Sequence, residues 1–141
     1  AFAASYVLAK TENTEKETVV EEDNWAAAAE WAEALGVDLV SSSLGYLEFD
    51  QDRDSYSHRD MDGDTAVSTK AANLLAAKGV VVVRSSRVNG GIIRRNIETN
   101  DDQMGTVASM ELNPSKARVL LQLALLKTSD PARVQDYFNR Y

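Results

Sequence analysis

Four consecutive valines at residues 80–83 constrain the fold more than any other feature. A β-branched run without polar alternation describes a strand that is apolar on both faces, and such a strand needs helices above and below it. Helical spacing over residues 65–78 puts Val67, Ala71, Leu74 and Leu75 on one face just before it, with Gly79 to close the helix. An earlier helix spans 24–35, with Trp25, Ala28, Ala29, Ala32 and Leu35 at helical spacing. Asp23 or Asn24 is its candidate cap, and Gly36 is its left-handed end. Short apolar segments at 5–9, 37–42 and 106–109 supply three more expected strands.

Two further helix starts are explicit. Asn113-Pro114 and Asp130-Pro131 each place a capping side chain before a proline at the first helical position. Ala117, Leu120, Leu121, Ala124 and Leu125 then form an apolar stripe. Residues 45–64 form a long loop rich in Asp, Ser and Tyr. Residues 85–105 are irregular, with a turn at Gly90-Gly91 and a hairpin arm expected over 91–97. The order β-α-β-α-β-loop-β-α-α predicts an α/β fold. It is a three-layer α-β-α domain with a mainly parallel four-stranded sheet, flavodoxin-like or Rossmann-like. In it 80–83 is central between 37–42 and 106–109, the first two helices cover one face and the last two the other. With 141 residues, 44% of them hydrophobic, the chain reads as a single domain, 1–141.

Charge narrows the partners. A net charge of −7 and a pI near 4.7 disfavour phosphate backbones and anionic bilayers, so neither nucleic acid nor membrane is expected. No apolar run reaches the roughly 20 residues that span a bilayer. Residues 1–9 are too short, and lack the basic lead, for a signal peptide. The expectation is a soluble chain with no targeting segment. The absence of cysteine removes thiol chemistry and thiolate metal sites, and His58 is the only histidine.

Few residues offer chemistry. His58 would need one of Ser41, Ser42 or Ser43 to act as a nucleophile–base pair, and its polar SYSHRD setting describes a solvated side chain. Asp60-Met61-Asp62-Gly63-Asp64 fails as a calcium loop, because Gly63 stands at position four and Ala71 at position twelve. Weak calcium binding by the acidic loop 50–64, with Asp50, Asp52 and Asp54, is left open. Asn89-Gly90-Gly91 matches neither phosphate-binding fingerprint. Trp25 and Trp31 do not share a helix face.

Two resemblances follow. ASYVLAKTE (4–12), VEEDNW (20–25), GVDLVSSSLGY (36–46) and DMDGDT (60–65) resemble a subtilisin-like serine protease over about residues 1–80. There Ser43, Leu44 and Gly45 match the segment lining the substrate cleft. KGVVVVRSSRV (78–88), RNIE (95–98), LNPSKARVLLQLALLKTSDP (112–131) and YFNRY (137–141) resemble the C-terminal part of a type II L-asparaginase over about 78–141. The two meet within 76–83, which implies a designed or recombined chimera.

The protease resemblance lacks the triad motifs and the oxyanion Asn, since the third strand continues into Arg84, Ser85, Ser86 and Arg87. The asparaginase resemblance places the threonine nucleophile and the Thr-Asp-Lys set in an N-terminal domain. It matches Glu98 to the glutamate contributed towards a neighbouring subunit's substrate. The expectation is therefore a non-catalytic scaffold with no catalytic, cofactor-binding or metal residue, no cofactor and no known ligand, and with a homodimer as its one candidate assembly. The alternative is a hydrolase, an asparaginase-type amidase or a peptidase, or else a homo-oligomeric binding module.

Overall fold

The valine run does feed a strand, but a shorter and later one than its composition suggests. A computed structural model describes residues 5–42, 44–86 and 91–141. In chain order the elements are α1 (Val20–Ala34), 3-10 turns at Asp52–Asp54 and His58–Asp60, α2 (Val67–Ala77), β1 (Val83–Arg84), α3 (Asp101–Met104), β2 (Val107–Ala108), α4 (Pro114–Leu125) and α5 (Pro131–Phe138). β1 and β2 pair in parallel, with Val83 opposite Val107 and Arg84 opposite Ala108.

The α/β class holds, whereas the four-stranded sheet does not: among the described residues the sheet has two strands. Residues 37–42 form no strand, although Leu39 packs against the core, and residues 5–9 are exposed and outside any element. Both segments have the composition of strands. Strand formation depends on a partner edge rather than on local preference. The outer edge of β2 is closed in another way. The buried Gln135 of α5 accepts from the Ala108 N–H (2.8 Å) and donates to the Ala108 carbonyl (3.1 Å), so a side-chain amide stands where a neighbouring strand would pair.

The C-terminal helices begin where the sequence places them. Asn113 accepts from the Lys116 N–H, and Asp130 from the Ala132 N–H. Ala117, Leu121 and Ala124 of α4 and Val134 and Phe138 of α5 close a core over Val81 and Val107. The hairpin arm expected over 91–97 is reduced to one antiparallel bridge, Ile93 to Met110. Of the Gly90-Gly91 turn, Gly90 lies outside the described residues.

α1 starts four residues before the expected Asn24, and neither Asp23 nor Asn24 caps it. Its first turn carries Glu21 and Glu22, both buried. Each carboxylate closes a distant backbone. Glu21 accepts from the Asn13 and Thr18 N–H groups. Glu22 accepts from the N–H and hydroxyl of Ser68 (3.1 and 2.6 Å) and from the Tyr56 hydroxyl (2.6 Å). The α2 cap residue is Ala66, which has no side-chain acceptor, so Glu22 caps α2 from another helix and sets its charge against the positive end of the α2 dipole. The two helices pack together along this clamp. Both end as expected, Gly36 at φ 73° and Gly79 at φ 91°.

Candidate functional site

Arg84 closes β1, at the carboxyl end of a parallel strand, where open α/β sheets place their ligands. Its guanidinium grips Asp101 in a bidentate pair, Nε to Oδ1 at 2.8 Å and Nη2 to Oδ2 at 2.7 Å. Its remaining arm, Nη1, donates to Glu98 Oε2 at 2.9 Å. Asp101 is fully buried and takes two further donors, the Asn96 N–H (2.8 Å) and the Thr106 hydroxyl (2.6 Å). Burial works to raise the Asp101 pKa, but Arg84, Thr106 and Asn96 together outweigh it and hold the carboxyl below its usual range. Burial likewise opposes the charge on Arg84, and Asp101 and then Glu98 overcome it, raising the guanidinium pKa. The saturated inner pair therefore acts as an anchor, and Glu98 is its outer member, half-exposed (52%).

Local backbone makes this possible. Asn96 adopts a left-handed conformation (φ 58°), which Asn tolerates better than most residues, and turns its N–H onto Asp101. Asn100 caps α3 so that Asp101 opens the helix. A second charged group braces the same turn from outside: Arg95 pairs with Asp102, which also accepts from Asn96 Nδ2, and Arg95 Nη1 reaches Gln135 Oε1 at 2.9 Å. From the acidic loop, Gly63 packs on Thr99 so closely that a Cβ there would lie 2.2 Å from Oγ1. At φ 87° the position suits glycine on both counts.

The anchor borders a cleft of about 370 Å³. Its lining takes in the segment from Val80 to Arg84, residues Trp25, Val40, Ser42, Leu44 and Tyr46, and Ser68, Ala72 and Leu75 of α2. Glu98, Thr99 and Met104 also line it. His58 is exposed and meets Glu98 only across an adjoining hollow, also lined by Leu47 and Met61. It makes no hydrogen bond to Ser41 or Ser42. Ser42 Oγ instead accepts from Trp25 Nε1 at 2.9 Å, while Ser43 lies outside the described residues.

The acidic loop turns its carboxylates inward on its own backbone. Asp60 accepts from Ser57, and Asp62 from the Asp64 and Thr65 N–H groups, which holds both below the usual carboxylate range. Asp50 accepts from the Glu17 N–H. Among the described residues the carboxylates that converge are Glu12, Glu17 and Glu21, which sequence spacing did not single out.

A short parallel strand pair backed by two capped C-terminal helices, with an Arg-anchored glutamate at the strand end, defines an α/β domain. The chain matches the Glutaminase/Asparaginase C-terminal domain over residues 58–138 and belongs to that family. It is 54% identical over 66 residues to L-asparaginase 2 of Escherichia coli (strain K12) and 56% identical over 66 residues to a probable periplasmic L-asparaginase of Haemophilus influenzae. It is 48% identical over 64 residues to the glutaminase-asparaginase of Acinetobacter glutaminasificans. These matches take in 45–47% of this chain and 19% of each relative, so the chain spans about a fifth of the length of the curated relatives it matches.

The asparaginase resemblance stands. The comparisons bring no support for the subtilisin-like segment or the chimera: the family match begins at His58 and runs unbroken through the supposed junction at 76–83. The expectation of a non-catalytic scaffold, and of no enzyme at all, is overturned, because the relatives are named as enzymes. A nucleophile set missing from these residues does not count against an enzyme, because the relatives extend far beyond the matched segment. Among the described residues no helix is long and apolar enough to cross a membrane.

Proposed function

We propose that this chain is part of an asparaginase- or glutaminase-type amidohydrolase and supplies the carboxylate Glu98 to an amide-substrate site completed by a neighbouring subunit. The observation that carries the reading is the family match over residues 58–138 together with the geometry at Glu98, a half-exposed carboxylate held by an arginine that is itself fixed to a buried aspartate. In the reaction water adds across the carboxamide, the C–N bond breaks and ammonia leaves. By resemblance the nucleophile is a threonine in a region of the relatives that this chain does not match. Glu98 binds and orients; it does not attack.

The test is a graft. Residues 58–138 replace the corresponding segment of E. coli L-asparaginase 2, and ammonia release from asparagine and glutamine is followed. Hydrolysis should persist in the graft, and Glu98→Ala should lower kcat/KM at least tenfold. A cooperatively folded graft whose activity ignores Glu98→Ala would remove the reading.

A further inference from the structure

Helix α4 is apolar on opposite sides. Ala117, Leu121 and Ala124 face the core and are buried. Val119, Leu123 and Leu126 follow at helical spacing on the far side and are 52%, 58% and 77% exposed. A surface helix keeps polar residues on its outer side, and a helix that is apolar all round is one packed on both sides. Contiguous exposed apolar side chains mark contact surfaces. The rim of this one is basic: Lys116 and Arg118 stand exposed beside the stripe, Lys127 follows its end, and α4 contains no acidic residue.

Helix α1 carries the complementary surface. Val20, Ala27, Trp31 and Ala34 share its outer side and are all exposed, Trp31 at 47%. The two alanines leave a groove beside the indole, the shape that receives a ridge from another helix. Asp23 and Glu30 run exposed along the same side, and α1 contains no basic residue. Among the described residues none of Asp23, Glu30, Lys116, Arg118 and Lys127 is in an ion pair. Within the chain α1 packs on α2 and α4 on α5, so both outer sides stay open. Two copies at net charge −7 repel each other overall, and a contact between them has to bring unlike local charges together. The α4 rim against the α1 rim does this. Pairing α4 with α4, or α1 with α1, would oppose like charges.

We infer that the outer face of α4 docks on the outer face of α1 of a second copy, in a head-to-tail contact between unlike surfaces. Val119, Leu123 and Leu126 cover Trp31 and the alanines beside it, while the basic rim meets Asp23 and Glu30. A single contact of this kind leaves one α1 face and one α4 face free on each pair, so it adds further copies or closes into a ring. The inference is independent of the amidase reading and needs no activity.

The experiment follows the whole chain by sedimentation equilibrium. At low salt the average mass should rise above the 15.4 kDa of one chain as concentration increases, and added salt should lower it by screening the rims. Trp31→Glu and Leu123→Glu each spoil one face at an exposed position, and thermal melts check that both stay folded. Ala34→Glu and Leu126→Glu repeat the test on the same two faces. Each variant alone should be monomeric. An equal mixture of an α1 variant and an α4 variant should form a heterodimer, because the first keeps its α4 face and the second its α1 face. A wild-type chain that stays at 15.4 kDa, association indifferent to salt, or a mixture that stays monomeric would overturn the inference. So would a variant that still associates by itself, since the contact would then join like faces.

Discussion

At the scale of single residues, the buried charges and polar atoms carry the sharpest expectations. Asp101 is ionised in a place that only Arg84, Thr106 and Asn96 make tolerable. Removing it strands a guanidinium, and Asp101→Ala should cost about 3 kcal/mol in a chemical denaturation experiment, the lower end for a broken buried pair because Arg84 remains partly solvated. Its pKa in the folded state lies below the unfolded value of about 3.9. Its contribution is therefore complete above that pH and is lost as the pH falls through the folded value. Melting temperatures taken below pH 4 should fall less steeply in Asp101→Asn than in the wild type. Ser109 presents the opposite case. Its hydroxyl is fully buried with no partner among the described residues, and Ser109→Ala should leave the melting temperature unchanged or raise it.

At the scale of elements, local signals and distant ones divide cleanly. The Asn113-Pro114 and Asp130-Pro131 starts were legible because a helix cap is satisfied within three residues of itself. The cap of α2 was not, because Glu22 acts across the fold on Ser68 and Tyr56, 46 and 34 residues away. Nothing in VEEDNW marks its second glutamate as the cap of another helix. Burial, then the Glu22 hydrogen bond and charge, push the Tyr56 hydroxyl up to about 12. An acid whose folded pKa is raised keeps its proton where the unfolded chain has lost it, so stability should decline between about pH 10 and the folded value near 12. Tyr56→Phe should remove part of that alkaline slope in thermal melts between pH 9 and 12, while lowering stability at neutral pH through the lost bond to Glu22. The Glu98 turn was equally hidden, since Asn96, Gly63 and Gln135 brace it from three separate stretches of chain.

At the scale of the molecule, the question is what makes one body of a chain whose described residues form only two short strands. All of the buried core cluster except Val81 and Val107 comes from α4 and α5. The leucine stripe of α4 was readable in advance, and its partners at Val134 and Phe138 follow from the second capped helix. The four-stranded sheet was misread because the apolar segments 5–9 and 37–42 have strand composition but join no sheet among the described residues. Without α4 and α5, Val81 and Val107 would face water and Ala108 would lose the Gln135 amide. Truncating a core leucine costs about 2–5 kcal/mol, a large share of the roughly 5–15 kcal/mol that holds a domain folded. Leu121→Ala, 3% exposed in the native chain, should therefore lower the melting temperature by several degrees while the transition stays cooperative. Deleting residues 114–141 should abolish the cooperative transition altogether. A chain ending at residue 113 that still unfolds in one two-state calorimetric peak would mean that α1 and α2, clamped by Glu22, hold a core of their own.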